Sequence, residues 1–287
     1  VLKRLEAASV TADPAERDAQ LTFVFVGGGY AGVEALAELE DLVRDAVAAW
    51  PRGPGLAPRW VLIEATESIF PEVGSRLAAY ALRPLVARGI EVRMGTLVED
   101  ARGGVVTLRD GERIPTRTLV WTAGVRPSPS SAALGMPLDE RGRIVVDEAM
   151  QVDGMPGVWA VGDAAAIPDP ARPGLTCPPT SQHAVRQGRL AAANVLAHAR
   201  GEPPQPFRYQ TRGIFVDLGR HKAVASIFGL QFSGLPAWLL GRTYHLGQVP
   251  GLARKGRIAA DWTVGLFFQR DTAELGTLGR PQPLEER

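Results

Sequence analysis

Two glycine-bearing segments carry the groups best suited to chemistry. The run Phe23-Val24-Phe25-Val26 leads into Gly27-Gly28-Gly29-Tyr30-Ala31-Gly32-Val33-Glu34, and far downstream Gly157-Val158-Trp159-Ala160-Val161 leads into Gly162-Asp163. Gly27-x-Gly29-x-x-Gly32 has glycine at the three places a dinucleotide-binding strand-to-helix turn requires. The first permits the tight turn, the second lets the backbone approach a pyrophosphate, and the third lets helix and strand pack closely. The helix that follows turns its free N–H groups toward the phosphates.

Carboxylates and amides complete the candidate chemistry. Glu64 ends the next apolar run, Trp60-Val61-Leu62-Ile63. A carboxylate there accepts both hydroxyls of an adenosine ribose and repels a 2′-phosphate, so NADH is favoured over NADPH. Its distance from the glycines exceeds the usual roughly 20 residues because the loop 50–58 adds length. Glu34, in the first turn of the glycine-motif helix, either complements the helix dipole or meets a nicotinamide carboxamide. Asp163 either caps a turn or accepts hydrogen bonds from ribityl or ribose hydroxyls. Thr180-Ser181-Gln182-His183 opens a helix whose positive end suits an anionic reduced flavin, with Gln182 on the ring's substrate side. His183 and Arg186 read as surface residues.

These groups need elements to hold them. The residues predict a helix end and a polar connection through Asp13-Pro14, then a strand at 21–26, a helix at 30–49 and a strand at 60–64. That is a βαβ unit with a right-handed crossover in a parallel sheet. A helix at 74–88 should end or kink at Pro84. Short strands follow at 90–94, 96–100, 104–108, 112–115 and 118–121, with turns at Gly103-Gly104 and Asp110-Gly111. Strands at 143–147 and 157–161 precede a helix from Thr180 or Ser181 to Arg200, stopped by Gly201. Beyond lie strands at 214–218 and 222–227, then amphipathic helices at 235–246 and 257–269.

In that tail Arg242, Arg254, Lys255, Arg257 and Arg270 alternate with Trp238, Leu239, Leu240, Tyr244, Trp262, Leu266, Phe267 and Phe268. The pattern suits a helix lying on anionic lipid, and it equally describes a core-facing helix or a dimer contact. Composition bounds the rest. The 287 residues carry 32 basic and 31 acidic side chains, a net charge of +1 that argues against nucleic acid as the main partner. The lone Cys177 excludes an intramolecular disulfide, no Cys/His cluster has metal spacing, and no apolar run of about 18 residues predicts a membrane span.

With these segments in this order, the chain resembles the type II NADH dehydrogenases. These are flavoprotein NADH:quinone oxidoreductases within the pyridine nucleotide-disulfide oxidoreductase-like FAD/NAD(P)-binding superfamily. The resemblance rests on Leu21–Glu34, on Val120-Trp121-Thr122-Ala123-Gly124-Val125, on Val158–Ala165, and on Pro178-Pro179-Thr180-Ser181-Gln182-His183-Ala184. It implies an α/β fold: a Rossmann-like NAD-binding domain at 21–126 (parallel sheet plus β-meander), the C-terminal part of an FAD-binding domain at 127–204, and an α+β tail at 205–287. Residues 1–20 would be a linker from the FAD domain.

By the same resemblance Gly27, Gly29 and Gly32 hold NADH, Glu64 reads its ribose, and Glu34 lies by the nicotinamide. Gly124 marks the crossing between domains and joins the cofactor-binding residues, Gly162 and Asp163 bind FAD, and Gln182 faces the quinone. The tail would rest on the cytoplasmic side of the cell membrane, peripherally, and a homodimer is compatible. Two departures stand out. The family often repeats Gln four residues after Gln182, where this chain has Arg186 followed by Gln187. The family also begins with an upstream FAD-binding glycine motif that this chain lacks, so weak or absent flavin binding is expected of the chain as given. The rival readings are a reductase with a ferredoxin-like acceptor and a non-catalytic NADH-binding fragment.

Overall fold

The computed structural model describes residues 1–50, 55–70, 74–211 and 213–268. The chain forms two compact units, Val1–Ala123 with Gly213–Arg287, and Gly124–Arg212.

The first unit opens with α1 (Leu2–Val10) and α2 (Pro14–Leu21). Asp13-Pro14 is therefore not the predicted connection but a helix start: Asp13 accepts a hydrogen bond from the Ala15 N–H at 3.0 Å, and Pro14 sits where no N–H is needed. There follow β1 (Thr22–Val26), α3 (Tyr30–Ala49), β2 (Arg59–Ile63), α4 (Ser75–Ala87), β3 (Glu91–Arg93), β4 (Val98–Asp100), β5 (Val105–Leu108), β6 (Arg113–Pro115) and β7 (Thr118–Trp121). Pro84 lies inside α4, which runs three residues past it. Strands β3, β2, β1 and β7 form a parallel sheet in that order, and β4, β5 and β6 form an antiparallel meander.

Alternation along β1 explains the layering. Phe23 and Phe25 join the α3 and α4 side chains Leu36, Ala37, Leu77 and Ala81 in one core, while Val24 and Val26 join Val106, Leu108 and Ile114 of the meander in another. β1 is thus buried on both faces, as a central parallel strand should be.

The second unit contains α5 (Ser130–Ala133), β8 (Ile144–Val145), β9 (Ala165–Ala166) and α6 (Ser181–Ala199). The strand predicted at 157–161 is absent: the segment makes one bridge, Trp159 to Gln151. Left-handed backbone at Met150, Gly154 and Gly157 breaks any longer ladder. Its small core gathers Val146, Met150, Val152, Ile167 and Phe207.

The tail returns to the first unit. It comprises β10 (Gly213–Asp217), β11 (Ala223–Ile227), β12 (Leu230–Ser233), α7 (Leu235–Gln248) and α8 (Leu252–Phe267). The sequence shows β10 and β11 but not β12, whose Leu230-Gln231-Phe232-Ser233 offers too short a pattern. One face of this sheet, through Val216, Leu218 and Val224, joins the α3–α4 core; the other packs under Ala237 and Trp238 of α7. α8 begins five residues earlier than predicted, and Arg270 and position 269 lie outside the described residues, as do residues 51–54 of the loop 50–58.

Candidate functional site

In the first unit the glycine turn is fixed by strand ends. Gly27, at φ +112°, donates its N–H to the Ile63 carbonyl at 2.8 Å. A Cβ on Gly32 would lie 2.2 Å from the Gly27 oxygen and 2.4 Å from Thr122 Oγ1. Thr122, at the end of β7, donates its hydroxyl to the Val26 and Gly27 carbonyls, at 3.0 and 3.2 Å. In sequence Thr122 stands out only as part of the segment Val120–Val125, which assigns it no role of its own.

Gly29 differs from the other two. Its φ is −73°, ordinary for any residue, and among the described residues nothing beyond its own chain neighbours lies within 4 Å of where its Cβ would stand. Neither backbone strain nor internal packing requires glycine there. The open space above the α3 N-terminus is what a pyrophosphate approaching the backbone needs.

Glu64 follows β2 and reaches this turn. Its carboxylate accepts from the Gly28 N–H and, at 2.8 Å each, from the Thr66 N–H and Oγ1. Burial works to raise its pKa, but the donors at Thr66 and Gly28 outweigh it and hold the group below its ordinary value. The result is a fixed anion beside the glycine turn. Arg59, at the start of β2, is paired with Glu91 and plays no part in that contact.

Glu34 lies one turn into α3, half-buried, and accepts the backbone N–H of Asp217 on β10 at 3.0 Å. Burial raises its pKa, opposed by the Asp217 N–H and reinforced by Glu38. Gly27, Gly29, Gly32, Glu34 and Glu64 thus gather in one unit, around one helix N-terminus.

The second unit holds the other candidates. Gly124 opens it at φ +94°. Gly162, at φ +69°, and the exposed Asp163 form a 3₁₀ turn, Gly162–Ala164. The Gly162 N–H is held by Gln187 Oε1 at 2.9 Å, and Gln187 is 2% exposed. Sequence alone assigns Gln187 no role, because the N–H it meets lies 25 positions away in the chain. Around this turn lies a cavity of about 780 Å³, lined among others by Arg126, Arg143, Gly162, Asp163, Ala165 and Cys177. Its size and mixed cationic and acidic lining fit the polar part of a dinucleotide cofactor. Burial pushes the Cys177 thiol up to about 11, so it stays protonated there.

Thr180 caps α6, accepting from the His183 N–H, and its Oγ1 lies 2.8 Å from His183 Nδ1. His183 is not the predicted surface residue: it is 3% exposed, enclosed by Phe207 and Tyr209, and burial lowers its pKa. Gln182 Oε1 accepts the Tyr209 hydroxyl at 2.7 Å, and Arg186 stacks over the Tyr209 ring at 4.2 Å. Among the described residues no group of three or more His, Cys, Asp or Glu side chains is arranged to hold a metal ion, and no helix is long and apolar enough to cross a membrane.

Two type II NADH:quinone oxidoreductases of Mycobacterium tuberculosis, NdhA and Ndh, are 32% and 30% identical to the chain over 93% and 94% of its length. The chain spans only 58% and 59% of their lengths. The structure of NDH2 from Plasmodium falciparum, in complex with NADH, matches 95% of this chain and 71% of that one with a TM-score of 0.83. At 14% identity that likeness is one of fold. The family of pyridine nucleotide-disulphide oxidoreductases matches residues 3–188, well over half of the sequence, and the chain belongs to it.

Proposed function

We propose that the chain carries the NADH site and one half of the flavin site of an NADH:quinone oxidoreductase. The observation that carries this reading is Glu64, fixed against the Gly28 N–H beside the open Gly29 position. A dinucleotide would lay its pyrophosphate over Gly29 and the α3 N-terminus, with its adenosine ribose on Glu64. The anionic Glu64 disfavours a 2′-phosphate, which selects NADH. Residues 21–126 act as the NAD domain and 127–204 as the second half of the FAD domain.

FAD, when bound, supplies a ring that accepts a hydride and releases two electrons singly or together. This chain's residues bind and orient. Asp163 and the backbone of the Gly162 turn hold flavin hydroxyls, the α6 N-terminus favours negative charge on the ring, and Gln182 faces the acceptor. Glu34 lies at the nicotinamide end. The overall balance is NADH, quinone and one proton giving NAD⁺ and quinol.

The tail supports attachment to a membrane surface from the cytoplasmic side. Leu239, Leu240, Leu252, Phe267 and Phe268 are exposed on α7, on α8 and just after it, beside Arg254, Lys255 and Arg257. Apolar side chains with interleaved cations bind an anionic leaflet.

The test is spectroscopic. Full-length protein loaded with FAD is mixed with NADH without oxygen, and a quinone is then added. Loss of the oxidised flavin absorbance on NADH addition and its return with quinone support the reading. A spectrum that NADH leaves unchanged, or that returns only with a ferredoxin-like protein, overturns it.

A further inference from the structure

The Glu34 carboxyl is held by a residue 183 positions away in sequence, through the Asp217 N–H at 3.0 Å. That residue is itself fixed. The Asp217 carboxylate accepts the Gly219 N–H at 3.0 Å, and the next N–H, of Arg220, is accepted by Asp41 Oδ2 at 2.6 Å. Between them the Leu218 carbonyl accepts from the Arg88 guanidinium of α4. Arg88 also reaches Glu40 and Asp41 at 3.1 and 3.2 Å, and is 9% exposed. The turn after β10 is therefore riveted to α3 and α4 by buried charged groups. Glu34 and Asp41 lie two helical turns apart on the face of α3 that meets it.

A rigid turn here has an electrostatic consequence. Glu34 and Glu38 are one turn apart on α3 and are surface neighbours. Asp217 brings a third carboxyl from β10; the charges of Glu38 and Glu34 disfavour its ionisation, and that of Arg242 on α7 favours it. Carboxyls confined together in a half-buried place cannot all ionise without mutual cost.

We propose that Asp217 is a positioning residue for Glu34: β10, locked to α3 and α4, holds the Glu34 carboxyl by its N–H and confronts it with a second carboxyl, so that the tail sets the protonation of Glu34. This rests on the placement of Glu34 at the nicotinamide end. It assigns to the tail a role in the hydride half-reaction, apart from any membrane contact. Burial first, then the charge of Glu38, pushes Asp217 up to about 6, and Glu34 is raised as well. Asp217 therefore keeps its proton under mildly acidic conditions.

The experiment is the pH profile of NADH-dependent flavin reduction, followed by stopped flow without acceptor in full-length, FAD-loaded protein. Wild type, Asp217→Asn, Glu38→Gln and Glu34→Gln are compared, with thermal unfolding measured on each. Asn retains both the backbone N–H and an oxygen for Gly219, so the turn is kept. Asp217→Asn is expected to move the inflection of the profile to lower pH by half a unit or more. Glu38→Gln moves it the same way by less, and Glu34→Gln abolishes it. If Glu34→Gln abolishes the inflection and Asp217→Asn leaves it in place, the role of Asp217 is overturned while Glu34 keeps its own. If Glu34→Gln leaves the profile unchanged, the placement of Glu34 fails and this inference falls with it.

Discussion

The Glu64 carboxylate accepts the backbone N–H of Gly28, so the acid at the end of one strand and the glycine turn at the end of its neighbour form one hydrogen-bonded unit. β1 and β2 are in parallel register, with Val26 beside Ile63, which brings their C-terminal ends level. Ligands of open α/β sheets bind beyond those ends. The anion that would read a ribose is therefore fixed before any ligand arrives, and ordering it costs little on binding.

Replacing Glu64 with Gln removes the charge while keeping an acceptor for Gly28. A hydrogen bond to a charged group contributes about 1.5–3 kcal/mol, so NADH affinity should fall roughly tenfold to a hundredfold. NADPH should lose less, and the preference between the two should narrow. Calorimetric titration with each nucleotide reads both numbers.

Gly32→Ala should damage the fold as well as binding. The added Cβ would meet the Gly27 oxygen at 2.2 Å, and overpacking of this kind costs about 1–3 kcal/mol. A lowered Tm together with weakened NADH binding is the expected pair. An unchanged Tm would show that α3 shifts freely against β1.

Gln187→Leu leaves the Gly162 N–H without its acceptor. Orphaning a fully buried donor costs about 1–3 kcal/mol; for this half-buried one the cost is smaller, and the turn that presents Asp163 loosens. FAD affinity should drop while NADH affinity stays as in the parent. Paired FAD and NADH titrations check this.

Stability should vary with pH through Asp217, whose folded-state pKa of about 6 stands above the ordinary value of 3.8. Between those values the folded protein holds a proton that the unfolded chain releases, so the stability this group contributes falls as pH rises from about 4 through about 6. Denaturant midpoints should therefore decline from pH 5 to pH 7 by more in the parent than in Asp217→Asn. Equal declines would mean that Asp217 titrates normally.

Much of this was legible in sequence where the signal is local. The glycine triplet, its strand and its helix are neighbours in the chain, and the parallel sheet follows from the βαβ spacing. Thr180 as a cap announces itself one residue before its helix. What failed depended on distant partners. His183 is buried because Phe207 and Tyr209 return to cover it, and no pattern around His183 encodes that. The Asp217–Glu34 bond joins residues whose connection appears only once β10 is laid on α3. The segment 157–161 has a strand's composition, yet the glycines and turns beside it leave it one bridge.

The most direct test of the nucleotide site is Gly29→Asp. Asp is among the best residues at a helix N-cap, and this position has an ordinary φ; among the described residues nothing beyond its chain neighbours lies within 4 Å of an added Cβ. The variant should keep or raise the parent's Tm, while its carboxylate occupies and repels the pyrophosphate, lowering NADH affinity tenfold or more. A variant that is equally stable and binds NADH as tightly as the parent would contradict the placement of NADH on this turn.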